Sequence, residues 1–116
     1  MSVFDDFASA YVETATWADV VGEPLDRNYR VSDFSPRARA RMEDDCRIFF
    51  DANREACEYD PCRAGRDLWL TRQHHGAGFW DGDWPTGIGE ELTVAAHKMG
   101  ECSIYIGDDG KLEVYP

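Results

Sequence analysis

The chain has 116 residues, 43% hydrophobic and 30% charged. That suits one domain over residues 1–116 with an ordinary core, and it excludes global disorder. Twenty-three Asp and Glu oppose twelve Lys and Arg, a formal net charge of -11, so phosphate backbones and anionic membranes would repel the chain and direct nucleic-acid binding is a poor reading.

The acidic start Met1-Ser2-Val3-Phe4-Asp5-Asp6 lacks the basic region of a secretory signal, and no apolar run reaches the about 18 residues of a membrane span. A cytoplasmic location with reduced cysteines is therefore expected. Ser2 suits the N-cap of a first helix, with Asp5 and Asp6 in its first turn. Phe4, Phe7, Ala8, Tyr11, Ala15 and Ala18 follow helical spacing, and Gly22 and Pro24 end the segment. Residues 23–29 read as an ordered loop anchored by Leu25 and Tyr29.

Ser35-Pro36 opens a second helix, because Ser caps well and Pro loses nothing at the first helical position. Met42, Cys46, Phe49, Asn53 and Ala56 form one stripe, flanked by Ala38, Phe50 and Ala52. Arg39, Glu43 and Arg47 lie on another face at i, i+4 spacing. The spacing predicts one helix running to about Tyr59, stopped by Pro61. Asp67-Leu68-Trp69-Leu70-Thr71-Arg72 then reads as a strand. Gly76-Ala77-Gly78-Phe79-Trp80 reads as its hairpin partner across the loop Gln73-His74-His75-Gly76.

A third helix is predicted over residues 86–99, burying Ile88, Leu92, Ala95, Ala96 and Met99, with Gly100 as its C-terminal cap. The C-terminal hairpin is the cleanest element. A three-residue turn Asp108-Asp109-Gly110, with Gly110 in the left-handed region, pairs Gly107 with Lys111. Ile106 then faces Leu112 and Ile104 faces Val114, all four on one side, whereas a shift of one residue would split them. The order ααββαββ predicts an α+β domain, three helices packed on a mainly antiparallel sheet of about four strands.

The densest functional candidate is residues 74–84, with two His, two Trp, two Asp and three Gly. One reading is a hairpin with Gly in its turn and aromatics in the core. The other is a recognition edge in which Trp80, Asp81, Asp83 and Trp84, with His75, Glu90 and Glu91 nearby, meet a partner protein. A metal reading would use Cys57, Cys62, His75 and His97. It is disfavoured because the adjacent histidines of an extended chain point to opposite faces. Cys46 and Cys102 fit as small core residues. No nucleophile elbow, zinc-helix, phosphate-loop or dinucleotide motif occurs, and His75 with Asp81 is the one acid–base pair that the run suggests. No cofactor is expected.

The run Ala64-Gly65-Arg66-Asp67-Leu68-Trp69-Leu70-Thr71-Arg72, continued by His75-Gly76-Ala77-Gly78-Phe79-Trp80-Asp81, resembles a family of small, largely uncharacterised proteins of tailed bacteriophages. These share a DLWLTRxxHGAGFWD-like motif. Glu23-Pro24-Leu25-Asp26-Arg27-Asn28-Tyr29, the Asp33-Phe34-Ser35-Pro36 helix start, and the 92–98 helix leading into Tyr105-Ile106-Gly107-Asp108-Asp109-Gly110-Lys111 extend the likeness over most of the chain. Cys57 and Cys62 lie outside that pattern. The resemblance implies a phage product acting in the host cytoplasm, and by analogy an accessory protein that binds a host protein and counters host defence, or mimics nucleic-acid charge. A metal-binding module or small metal-dependent enzyme, and a virion structural or assembly protein, are the alternatives.

Overall fold

The computed structural model describes residues 2–18, 29–75, 77–81, 84–85 and 87–115. The expected loop over residues 23–28, Asp83 and Gly76 lie outside them. The described residues form five α-helices and one two-stranded antiparallel sheet. The α+β class therefore stands, but the expected three helices and four strands do not.

Helix α1 spans Val3–Ala18. Ser2 and Asp5 cap it reciprocally: the Asp5 N–H donates to Ser2 Oγ at 3.1 Å and the Ser2 N–H to Asp5 Oδ2 at 3.2 Å, an arrangement that satisfies donors the helix cannot. Its expected aromatic face is the buried one, with Phe7, Tyr11 and Ala15 fully enclosed. A short 3₁₀ turn at Val31–Asp33 leads into α2, Pro36–Ala52. Ser35 caps α2 through the Ala38 N–H at 3.0 Å, and its own hydroxyl donates to Glu113 Oε1 at 2.7 Å.

The long second helix that the periodicity suggests breaks at Asn53, and residues Arg54–Tyr59 form a separate short helix, α3. The cause is local. The Asn53 N–H and its side-chain amide both donate to the Phe49 carbonyl, at 3.0 Å each, and an Asn side chain that competes for a helix carbonyl favours termination. Ala52, expected against the core, is consequently exposed.

The largest correction concerns residues 61–80. The expected first hairpin is absent. Pro61–Arg72 is an α-helix, α4, with Asp60 Oδ1 accepting from the Arg63 N–H at 3.3 Å and Pro61 in its first turn. Asp60-Pro61 is the same cap-and-proline signal as Ser35-Pro36. The apolar run Leu68-Trp69-Leu70 that suggests a strand lies inside this helix. That run is apolar because α4 is enclosed on nearly all sides: Ala64, Leu68 and Trp69 are fully buried, and so are Asp67 and Thr71. A helix buried all round loses the one-sided pattern that identifies helices in a sequence. α4 ends with His74 at φ 58°. The His75 N–H donates to the Leu70 carbonyl and the His74 N–H to the Thr71 carbonyl, a left-handed cap in which His stands where Gly is usual.

Helix α5 spans Ile88–Lys98. Leu92 and Ala96 are buried, whereas Ile88 stays 36% exposed. Gly100 closes α5 at φ 80°. Strands β1, Ser103–Ile106, and β2, Leu112–Tyr115, pair in the expected register, with Ile104 opposite Val114 and Ile106 opposite Leu112. Gly110 has φ 83°, and the Gly107 N–H donates to the Lys111 carbonyl at 2.8 Å. The outer side of β2 meets Phe34 through a single parallel bridge, with the Ser35 N–H donating to the Leu112 carbonyl at 2.9 Å.

One apolar cluster joins these elements. α1 packs most extensively on α4. Their approach depends on Gly65, where a Cβ would collide with the Phe7 carbonyl and crowd Tyr11 and Ala10. Aromatic rings run from Phe7 to Phe49 (6.1 Å between centroids), Phe79 (5.7 Å) and Trp84 (5.6 Å), and on to Tyr59 at the surface (6.2 Å).

Candidate functional site: the 77–91 segment and the groove beside it

The connection between α4 and α5 is held by buried polar contacts. Thr71 Oγ1 accepts from the Phe79 N–H at 3.1 Å, and a Cβ on Gly78 would run into that oxygen. Asp81 Oδ2 accepts from the Gly78 N–H at 3.3 Å. Phe79 is thereby set into the core while its neighbour Trp80 remains 49% exposed. Asp81 is exposed.

Trp84 does not stand out from the surface as expected. It is 7% exposed, and its indole N–H donates to Asp67 Oδ2 at 2.8 Å. The other Asp67 oxygen accepts from Arg66 Nε and Nη2 at 3.2 and 3.1 Å. Burial pushes the Asp67 carboxyl above its ordinary 3.8, and the Trp84 and Arg66 hydrogen bonds only partly oppose that. Trp84 sits inside because its ring fills the space between Phe79 and Tyr59 and its one donor has a buried acceptor.

Arg72, the last residue of α4, is 2% exposed. It donates to Tyr11 Oη at 2.8 Å, Asp45 Oδ2 at 2.9 Å, the Gly100 carbonyl at 2.8 Å and the Met99 carbonyl at 3.2 Å. These bonds tie α1, α2 and the end of α5 to α4. A buried guanidinium is tolerated only when so fully paired. Asp67, Thr71, Arg72, Gly78 and Phe79, all in the motif that suggested function, are thus occupied in holding the fold.

Of the other expected site residues, Glu90 and Glu91 are exposed in the first turn of α5, where the helix dipole favours carboxylates. His75 is half-buried. The structure brings Trp80 and Asp81 together on one loop. The metal set does not assemble: Cys57 is buried and Cys62 exposed, and His97 stacks on His74 with ring centroids 4.5 Å apart. Among the described residues no three His, Cys, Asp or Glu side chains converge on a metal site.

The cation distribution sets the local field. Arg37, Arg41, Arg47, Arg54, Arg63, Arg66 and Arg72, all on α2–α4, pair with carboxylates. Residues 73–97 contain no Lys or Arg. Asp81, Glu90 and Glu91 make no ion pair with any of the described residues.

Beside this segment lies a groove of about 660 Å³, walled by α3 and the end of α2 on one side and by Trp84, Pro85 and the start of α5 on the other. Tyr59, Glu55, Glu58 and Ile88 line it together with Glu91. Tyr59 is 72% exposed. Reading the sequence missed this feature because it depends on the break at Asn53 and on α4 being a helix. The visible trace was Tyr59 itself, a large aromatic immediately before the Asp60-Pro61 cap. No family model, curated protein or solved structure matches the chain. Its class is that of a mostly helical α+β domain, with Asp81, Glu90 and Glu91 unpaired among the described residues.

Proposed function

We propose that the chain is a phage accessory protein that binds a host protein through the acidic surface carrying Trp80, Asp81, Glu90 and Glu91, and that it acts in the host cytoplasm. The observation carrying this reading is a half-exposed Trp80 on a stretch of sequence without Lys or Arg, beside carboxylates that make no ion pair with any described residue. A large exposed indole supplies apolar contact area on binding, and a negative field accelerates encounter with a basic partner. Counteracting a host defence or nucleic-acid enzyme by presenting carboxylates to its basic site fits this chemistry. Trp84, nearly buried, is not part of this exposed edge.

The test is affinity capture from phage-infected cells with wild type, Trp80→Ala and the double reversal Asp81→Lys/Glu90→Lys. All of these side chains are exposed, but Asp81 also accepts from the Gly78 N–H, so circular dichroism and urea midpoints of each variant must match wild type before capture is compared. The expected result is a partner retained at low salt, released as salt rises, and lost to both variants. A partner that withstands high salt and tolerates the reversals would overturn this reading.

A further inference from the structure

The groove between α3 and α5 deepens that reading and rests on it. We infer that it receives an apolar or aromatic side chain from a basic segment of the partner, with Lys or Arg residues on either side of that anchor. Three observations on this chain converge on that chemistry.

The floor is apolar and rigid. Trp84 and Leu92 lie at its base, 7% and 2% exposed. The Trp84 ring is fixed by Asp67 below and by Phe79 beside it. A floor already locked by packing needs no ordering when an anchor arrives. Tyr59 and Ile88 stand above it with much of their apolar surface in water, at 72% and 36% exposure. Covering that surface is favourable at about 25 cal/mol per Å².

The rim is acidic. Among the described residues, Glu55, Glu58 and Glu91 line it together with one cation, Arg54. That guanidinium is already engaged, 3.0 Å from Asp51 and 3.4 Å from Glu58, with its carbon 5.0 Å from the Phe50 ring centroid. Glu55 and Glu91 make no ion pair with any described residue. A cationic segment gains from this field, while a nucleic acid or an acidic peptide is repelled.

The volume, about 660 Å³, falls within the about 300–1,000 Å³ of sites that enclose small groups. A second copy of this chain is a poor occupant. It carries the same net charge of -11, and it would set like-charged rims against each other.

Two blocked pentapeptides, KRFRK and KRGRK, test the idea. They are titrated into the ¹⁵N-labelled full chain and followed by NMR. The expected result is saturable shifts at the Trp84 indole, Ile88 and Glu91 with KRFRK, at least about tenfold weaker with KRGRK. Tyr59→Ser should abolish the difference between the peptides, and Glu91→Lys should weaken both. Equal binding of the two peptides, shifts centred elsewhere, or no shifts would overturn the inference. So would a dimer in sedimentation that Tyr59→Ser dissolves, because the groove's occupant would then be a second copy. The host-binding reading is tested separately. If Tyr59→Ser still captures the host partner and Asp81→Lys/Glu90→Lys does not, the acidic surface stands and the groove inference falls.

Discussion

Asp67 is a carboxylate that the fold buries because an indole needs an acceptor. Its environment pushes its pKa above 3.8, mainly through desolvation. The folded state then holds that proton more tightly than the unfolded chain does. The site's contribution to stability is fully present below about pH 3.8 and is lost as pH rises through the folded pKa. Asp67→Asn keeps an acceptor for Trp84 and removes the titration. Relative to wild type, the variant should therefore gain stability as pH rises from about 3.5 towards neutrality, read from urea midpoints along that series. A difference between the two proteins that stays flat with pH would mean Asp67 titrates alike folded and unfolded. Thr71 and Arg72 tell the same story at this scale: polar side chains of α4 are buried, and each has a partner.

Among the elements, the closest approach is that of α1 and α4 at Gly65. Gly65→Ala sets two effects against each other. Replacing a mid-helix Gly favours the helix by about 1 kcal/mol. Forcing a methyl group against the Phe7 carbonyl and Ala10 costs up to about 3 kcal/mol or more, because a backbone cannot turn aside as a side chain can. Overpacking wins, and a net loss of about 2 kcal/mol is expected from urea unfolding at an unchanged m-value. A neutral or stabilised variant would show that the two helices can separate cheaply. The break at Asn53 belongs to this scale as well. By ending α2 early it lets α3 step away, and one wall of the groove comes from that displacement.

Across the whole molecule, charge and thiols are both sorted by position. Among the described residues the Arg–carboxylate pairs collect on α2–α4, and Asp81, Glu90 and Glu91 are left without one. Cys46, Cys57 and Cys102 are buried, while Cys62 is exposed in the first turn of α4. Burial pushes the Cys57 thiol up to about 12 and raises Cys46 well above its ordinary value, so neither forms the reactive thiolate near neutral pH. Brief iodoacetamide treatment of the native protein should alkylate Cys62 alone, and all four cysteines should react in denaturant, as mass spectrometry would show. Labelling of Cys57 at a rate within about tenfold of Cys62 would mean that the core opens readily at α3. No described helix is long and apolar enough to cross a membrane.

Local chemistry was legible in the chain itself. Ser2 and Ser35 as caps, the aromatic face of α1 and the C-terminal register could be read because each depends on residues close in sequence. Only the tertiary structure decided that residues 61–72 are a helix, that Trp84 points inward, and that Tyr59 and Ile88 border a groove. The physical reason is enclosure. α4 is surrounded by its neighbours, so it carries no amphipathic stripe to mark its period, and Asp67 and Arg72 have their partners 17 and 27 residues away, in Trp84 and Asp45.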